Sequence, residues 1–128
     1  MQRQSINPWP WSVNLGFDQA ELIEGHGRFL VVSGQDAVDA EGSPQHPGDM
    51  AAQVELALDN LEAVLAAGDM TLADVVRLTV YTTDLDEYLE HFARVNDRFG
   101  GSRYATTLLG VTQLPAQLLV MLEATAVD

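Results

Sequence analysis

Residues 49–85 read DMAAQVELALDNLEAVLAAGDMTLADVVRLTVYTTDL, and this stretch decides the fold class. In its first half Val54, Leu58, Leu61 and Leu65 recur at helical spacing, which puts them on one stripe of a helix over Met50–Ala67. Asp49 can accept from the unpaired amides of the first turn, and Gly68 can take the left-handed conformation that ends a helix. In the second half Val76, Leu78 and Val80 alternate with Arg77 and Thr79, so residues 75–81 read as a strand. A one-sided helix running into a strand of this kind implies a helix laid across a sheet.

The pattern repeats outward from this unit. A second helix opens at Asp84, where Glu87 can reach back as in a capping box. It runs through Tyr88, Leu89, Phe92, Val95 and Phe99 and stops at Gly100-Gly101. Residues 105–111 and 118–126 are strand candidates, divided at Pro115, which cannot donate to a ladder. Upstream, Ala20–Glu24 and residues 29–32 read as a hairpin joined by Gly25-His26-Gly27, and residues 39–49 read as a loop. Residues 7–18 carry Pro8, Trp9, Pro10, Trp11 and Phe17, which suit an extended arm laid over apolar surface, and Gln2–Ile6 can add an edge strand. The expected architecture is α+β: a single domain over residues 1–128, with one mixed β-sheet and two helices packed on one face.

Composition narrows the function classes. The chain has 128 residues, 6 basic against 19 acidic side chains, a net charge of −13 and no cysteine. All the basic residues are arginines, scattered at positions 3, 28, 77, 94, 98 and 103, which argues against a nucleic-acid surface. No apolar run approaches the ~20 residues that span a bilayer, so no membrane partner is expected. The N-terminus lacks a secretory pattern, so a cytoplasmic location is expected.

Few residues carry an obvious chemistry. His26, His46 and His91 fall in a turn, a loop and a helix, without the close spacing of metal ligands, so no metal is expected. Ser33-Gly34-Gln35 follows a strand but lacks the flanking glycines of a nucleophile elbow. Asp84, Asp86, Glu87 and Glu90 suit the start of a helix, where the macrodipole favours negative charge. Glu123 stands in an otherwise apolar strand; it is a site residue if buried at an interface and a surface residue if on the outer face. Trp9, Trp11 and Phe17 either line a pocket or pack the arm.

Several spaced segments together give a resemblance. Val32-Ser33-Gly34-Gln35, Ala51-Ala52-Gln53 through Leu58-Asp59-Asn60-Leu61, Val80 through Leu85, Val95-Asn96, Phe99, and Leu114-Pro115 through Glu123-Ala124 occur in the order found in the reactive-intermediate deaminase (RidA-like, YjgF) family, which the chain resembles over nearly its whole length. The resemblance implies a chorismate-mutase-like subunit, a homotrimer, and ligand clefts between adjacent subunits. It also implies cofactor-free hydrolysis of 2-imino or enamine acids, with an Arg that holds the substrate carboxylate, a Glu that orients water and a Tyr on the N-terminal segment.

The chain departs from that pattern at each of those positions. Counting from Leu114-Pro115, Thr106 stands at the Arg position and Met121 at the water-orienting Glu position, with Glu123 at a second acidic position. Phe17 replaces the Tyr. The resemblance therefore implies a small-molecule cleft lined by Phe17, Ser33, Gly34, Asn96, Thr106 and Met121 that prefers neutral, partly apolar ligands and has lost imino-acid deamination. The alternative is an imine or enamine deaminase with another carboxylate clamp, such as Arg103 or an arginine of a partner chain; Arg103 is three residues from Thr106, an odd offset that places strand side chains on opposite faces. RNA cleavage, a third activity attached to such proteins, is opposed by the charge balance.

Overall fold

The computed structural model describes residues 1–128. Its elements in chain order are β1 (Gln2–Ile6), β2 (Ala20–Glu24), β3 (Phe29–Gln35), α1 (Met50–Ala67), β4 (Val75–Thr82), α2 (Leu85–Leu89), α3 (Phe92–Phe99), β5 (Ala105–Gly110) and β6 (Val120–Val127). A mixed four-stranded sheet runs in the order β3-β6-β4-β5, with β4 and β5 parallel and the other pairs antiparallel. The helix α1 packs on β3 and β6, and Val54, Leu58, Leu61 and Leu65 are wholly buried there. At ~1.5–3 kcal/mol for each such side chain removed from water, this stripe is the main attachment of helix to sheet. No helix is long and apolar enough to cross a membrane.

The caps of α1 are local and follow the sequence at its start. Asp49 Oδ1 accepts from the Ala52 amide at 3.1 Å. At the other end the left-handed residue is Asp69, with φ of 60°, and not Gly68, whose φ is −89°. The side chain of Arg98 on α3 reaches Glu55, Asp59 and Glu62 of α1 at 2.6–3.0 Å and ties the two helices along their solvent side.

Three expectations are corrected. The hairpin of β2 with β3 does not form: β2 pairs with β1 as a separate antiparallel ribbon, so there are two sheets rather than one. The strand β3, apolar on both faces, pairs instead with β6, and Asp128 captures the intervening turn through Gly27 N donating to Asp128 O at 2.7 Å and the Arg28–Asp128 ion pair. The ribbon is held from the other side by Arg3, whose guanidinium donates to the carbonyls of Ala73, Val75 and Arg103 at 2.6–3.1 Å.

The arm is not extended throughout, because Pro10 opens a 3-10 turn over Pro10–Leu15, at the first helical position where its missing amide costs nothing. The second helix is broken at Glu90-His91 into α2 and α3. The break buries Tyr88 while leaving Leu85 and Leu89 exposed. Asp84 does cap α2, accepting from Glu87 N at 3.0 Å, but the Asp84 amide turns to the Thr82 hydroxyl and leaves the capping box half-formed.

Strand parity divides the sheet into two faces. Leu78, Val80, Leu122 and Ala124 face the helices and are buried. Tyr81 and Thr79 lie across from Met121 and Glu123 on the other face, which no element of the chain covers with a helix. There Val31 is 71% exposed.

Candidate functional site

A cavity of about 310 Å³ lies on the helix side of the sheet, at its β4–β5 end. Its floor is Leu78, Val80, Thr106 and Leu108; α2 and α3 contribute Tyr88, Leu89, Phe92, Val95 and Asn96; Leu15, Phe17 and Tyr104 close it. Tyr88 of α2 and Phe92 of α3 line the same space from either side of the break at Glu90-His91. Phe17 is held in the wall by an edge-on contact with Trp11, at 5.8 Å between ring centroids. Gly16 allows the arm to come this close: its φ is 93°, and a Cβ there would lie 3.1 Å from Asn96 Cγ.

The polar groups of the cavity are few and mostly committed. Asn96 Nδ2 donates one hydrogen to the Leu15 carbonyl at 3.1 Å, which leaves its second hydrogen and Oδ1. Thr106 Oγ1 donates to the Leu78 carbonyl at 2.7 Å. Tyr88 and Tyr104 are each only 3% exposed, and of the three tyrosine hydroxyls that of Tyr81 alone hydrogen-bonds within the chain. Burial pushes the Tyr104 phenol up to about 12 and Tyr88 higher still, so both are neutral donors at ordinary pH. Tyr104 also packs against Phe99, with ring centroids 4.3 Å apart.

Of the six residues expected to line a cleft, Phe17, Asn96 and Thr106 come together in this cavity. Ser33, Gly34 and Met121 do not. They lie at the β3–β6 bulge, where Gly34 is so close to Met121 that a Cβ would meet Sδ at 2.4 Å. Met121 has the opposite strand parity from Leu122, so it belongs to the uncovered face of the sheet.

Neither charged candidate enters the cavity. Arg103 precedes β5 and turns to the arm, donating to Asp18 Oδ1 at 3.0 Å and to the Phe17 carbonyl at 3.3 Å. Glu123 accepts from Tyr81 Oη at 2.5 Å on the uncovered face, and its carboxylate pushes the Tyr81 phenol up. Arg77 is the one arginine of six without a carboxylate partner, and it too lies on that face, beside Thr79 and Glu123. No group of three histidine, aspartate or glutamate side chains is placed to hold a metal ion.

Tyr88 and Tyr104 were not legible as site residues. Tyr88 falls on the apolar spacing of a helix and Tyr104 at the entrance to a strand, positions that read as core. The one available signal is that a phenol, unlike Phe, brings a hydroxyl that needs a partner when buried.

The chain is similar to known proteins over most of its length. The Endoribonuclease L-PSP family model matches residues 17–128. A RutC family protein of Pyrococcus abyssi is 33% identical over 100 residues, covering 78% of this chain and 79% of its own. The 2-iminobutanoate/2-iminopropanoate deaminase of Escherichia coli K12 is 32% identical over 108 residues, covering 79% of this chain and 80% of its own. The crystal structure of YyfB from Yersinia pestis, a Rid family protein of unknown function, superposes with a TM-score of 0.89 at 34% identity over 100% of both chains.

Proposed function

Since the chain belongs to the RidA-like (YjgF, Endoribonuclease L-PSP) family, we propose that it binds a small uncharged molecule in the Phe17–Asn96–Thr106 cavity and does not run carboxylate-clamped imine hydrolysis. The observation that carries this reading is the cavity's lining. Ten of its twelve residues are hydrophobic and no arginine is among them, while Thr106 has spent its only donor on Leu78. A carboxylate there would be taken out of water without a charge-assisted partner, where an Arg fork would supply two. A volume of about 310 Å³ is at the lower end of the ~300–1,000 Å³ typical of ligand sites.

We further propose that the complete site forms between copies, in a homotrimer. Met121 lies on the uncovered sheet face with Gly34 against it and Ser33 next to Gly34 in the bulge, while Phe17, Asn96 and Thr106 line the cavity on the helix side. Two such groups can share one cleft only if the sheet face of one chain meets the cavity mouth of the next.

A second reading, imine deamination, is favoured by the 32% identity to the E. coli deaminase. It needs a guanidinium, and Arg77 of a neighbouring copy is the one left free within the chain. RNA cleavage, suggested by the name of the matching family model, is opposed by the net charge of −13 and by the pairing of the remaining arginines. The deciding experiment is ammonia release from imines generated in place by an amino-acid oxidase or dehydratase. Release no faster than the protein-free control is expected, and rapid release by the unmodified chain overturns the binding-only reading.

A further inference from the structure

We propose that Tyr88 and Tyr104 are the hydrogen-bond donors of this cavity, and that together they select an uncharged ligand bearing a carbonyl oxygen. The inference rests on the reading that the cavity holds a ligand and adds the chemistry that the ligand must present. Both rings are buried among apolar side chains, yet neither hydroxyl has a partner in the chain. Neither oxygen is among the sealed, unpartnered polar atoms, which are Gln19 Nε2 and Arg103 Nε, so both phenols reach open space, and the space they line is the cavity.

An unpaired hydroxyl in an apolar enclosure is unfavourable, and phenylalanine would pack as well without it. The other polar atoms of the lining complete the pattern by contrast. Thr106 has given its only donor to Leu78 and can only accept towards the cavity, while Asn96 has given one of its two amide hydrogens to Leu15 and keeps the other beside Oδ1. Two free donors on Tyr88 and Tyr104, with no cation in the lining, fit the two lone pairs of a neutral carbonyl oxygen better than a carboxylate or an ammonium. Burial keeps both phenols protonated, which maintains them as donors across the physiological range. A small ring is admissible on size, since an apolar cavity of ~150 Å³ already holds benzene.

The test compares two ring probes, cyclohexanone and benzene, on the whole protein and on Tyr88→Phe, Tyr104→Phe and the double variant. Affinities are read by NMR titration, and the carbonyl stretch of bound cyclohexanone is read by infrared difference spectroscopy. Two neutral hydrogen bonds correspond to a loss of roughly tenfold or more in cyclohexanone affinity in the double variant. The carbonyl stretch is expected to move to lower frequency in the unmodified protein and to return in the variants, while benzene binds all forms alike. Benzene binding retained in the variants shows that the cavity survives the substitutions. If cyclohexanone binds the double variant as well as the unmodified protein, or its stretch does not move, the donor role falls while the cavity reading stands. If neither probe binds any form, the cavity reading falls and this inference with it.

Discussion

Thr106 Oγ1 donates to the carbonyl oxygen of Leu78, its register partner on the parallel strand β4, at 2.7 Å. This bond makes Thr106, where the resemblance implies a clamp, part of the sheet. Replacing it by Val should cost about 0.5–1.5 kcal/mol, the net worth of one neutral hydrogen bond. Thr106→Arg should be worse, by about 1–3 kcal/mol, because the guanidinium enters a lining without a carboxylate. That variant is also expected to release no ammonia from imines, since groups that act as a unit are not restored singly. Thermal melts and the coupled ammonia assay check both outcomes; a gain of deaminase activity from this one change contradicts the argument.

Asp18 ties the arm to the rest of the chain and should make stability depend on acid. Its carboxylate is 1% exposed and accepts from Ser5 at 2.7 Å, Asn7 at 2.9 Å and Arg103 at 3.0 Å. Burial raises its pKa, but hydrogen bonds with Asn7, Ser5, Glu21 and Arg103 outweigh burial and hold it below the usual carboxylate value. A lowered folded pKa contributes stability that is present above the unfolded value of ~3.9 and is lost as pH falls through the folded one. Glu21 acts in the opposite sense: burial and Asp18 push its carboxyl up, so its contribution fades as pH rises through the raised value. Urea midpoints against pH should show the unmodified chain losing its advantage over Asp18→Asn below about pH 4. An advantage independent of pH would show that Asp18 is not the titrating group.

How far the sequence could be read depended on how local each determinant was. The helix α1 is specified by a stripe and a cap within its own residues. The partner of β2 is not, because it is set by Arg3 reaching carbonyls at Ala73, Val75 and Arg103, contacts that no local pattern encodes. In the site, Thr106 was legible because a fixed count from Leu114-Pro115 finds it. The division of the six expected residues between two surfaces was legible in principle from parity, since Met121 alternates with the buried Leu122. Tyr88 and Tyr104 stayed hidden, because spacing cannot distinguish a phenol that faces a cavity from one that packs in a core.

Gly34 and Met121 should couple energetically. A Cβ on Gly34 would sit 2.4 Å from Met121 Sδ and 2.9 Å from Cγ, so Gly34→Ala must displace the thioether chain. Methionine is adaptable, and the expected loss is near the lower end of the ~1–3 kcal/mol of an overpacked site. Combined with Met121→Ala the loss from Gly34→Ala should largely vanish, giving a coupling of about 0.5 kcal/mol or more in a double-mutant cycle. Additive effects would mean that the two residues do not press on each other in solution.

Self-association should depend on the uncovered face of the sheet. Val31 is 71% exposed there, Leu109 is 43% exposed at the far edge, and Met121 and Tyr81 lie between them. An apolar surface of this kind on an isolated chain marks an interface. The two groups of expected cleft residues lie on different surfaces, so a contact that joins them is heterologous, and such a contact gives a ring where its rotation closes and an open filament where it does not, rather than a two-fold dimer. For the proposed homotrimer, light scattering should give three times the chain mass of 13.9 kDa, and any other multiple overturns that ring size. Val31→Glu adds like charge at every copy of the interface and should shift the protein towards the single-chain mass while leaving the buried stripe of α1 untouched. The same variant should lose whatever ligand affinity requires Ser33, Gly34 and Met121 from a neighbour, and keep the affinity for benzene of the Phe17–Asn96–Thr106 half. A stable single chain at micromolar concentration in the unmodified protein would leave the uncovered face unexplained and would remove the shared cleft.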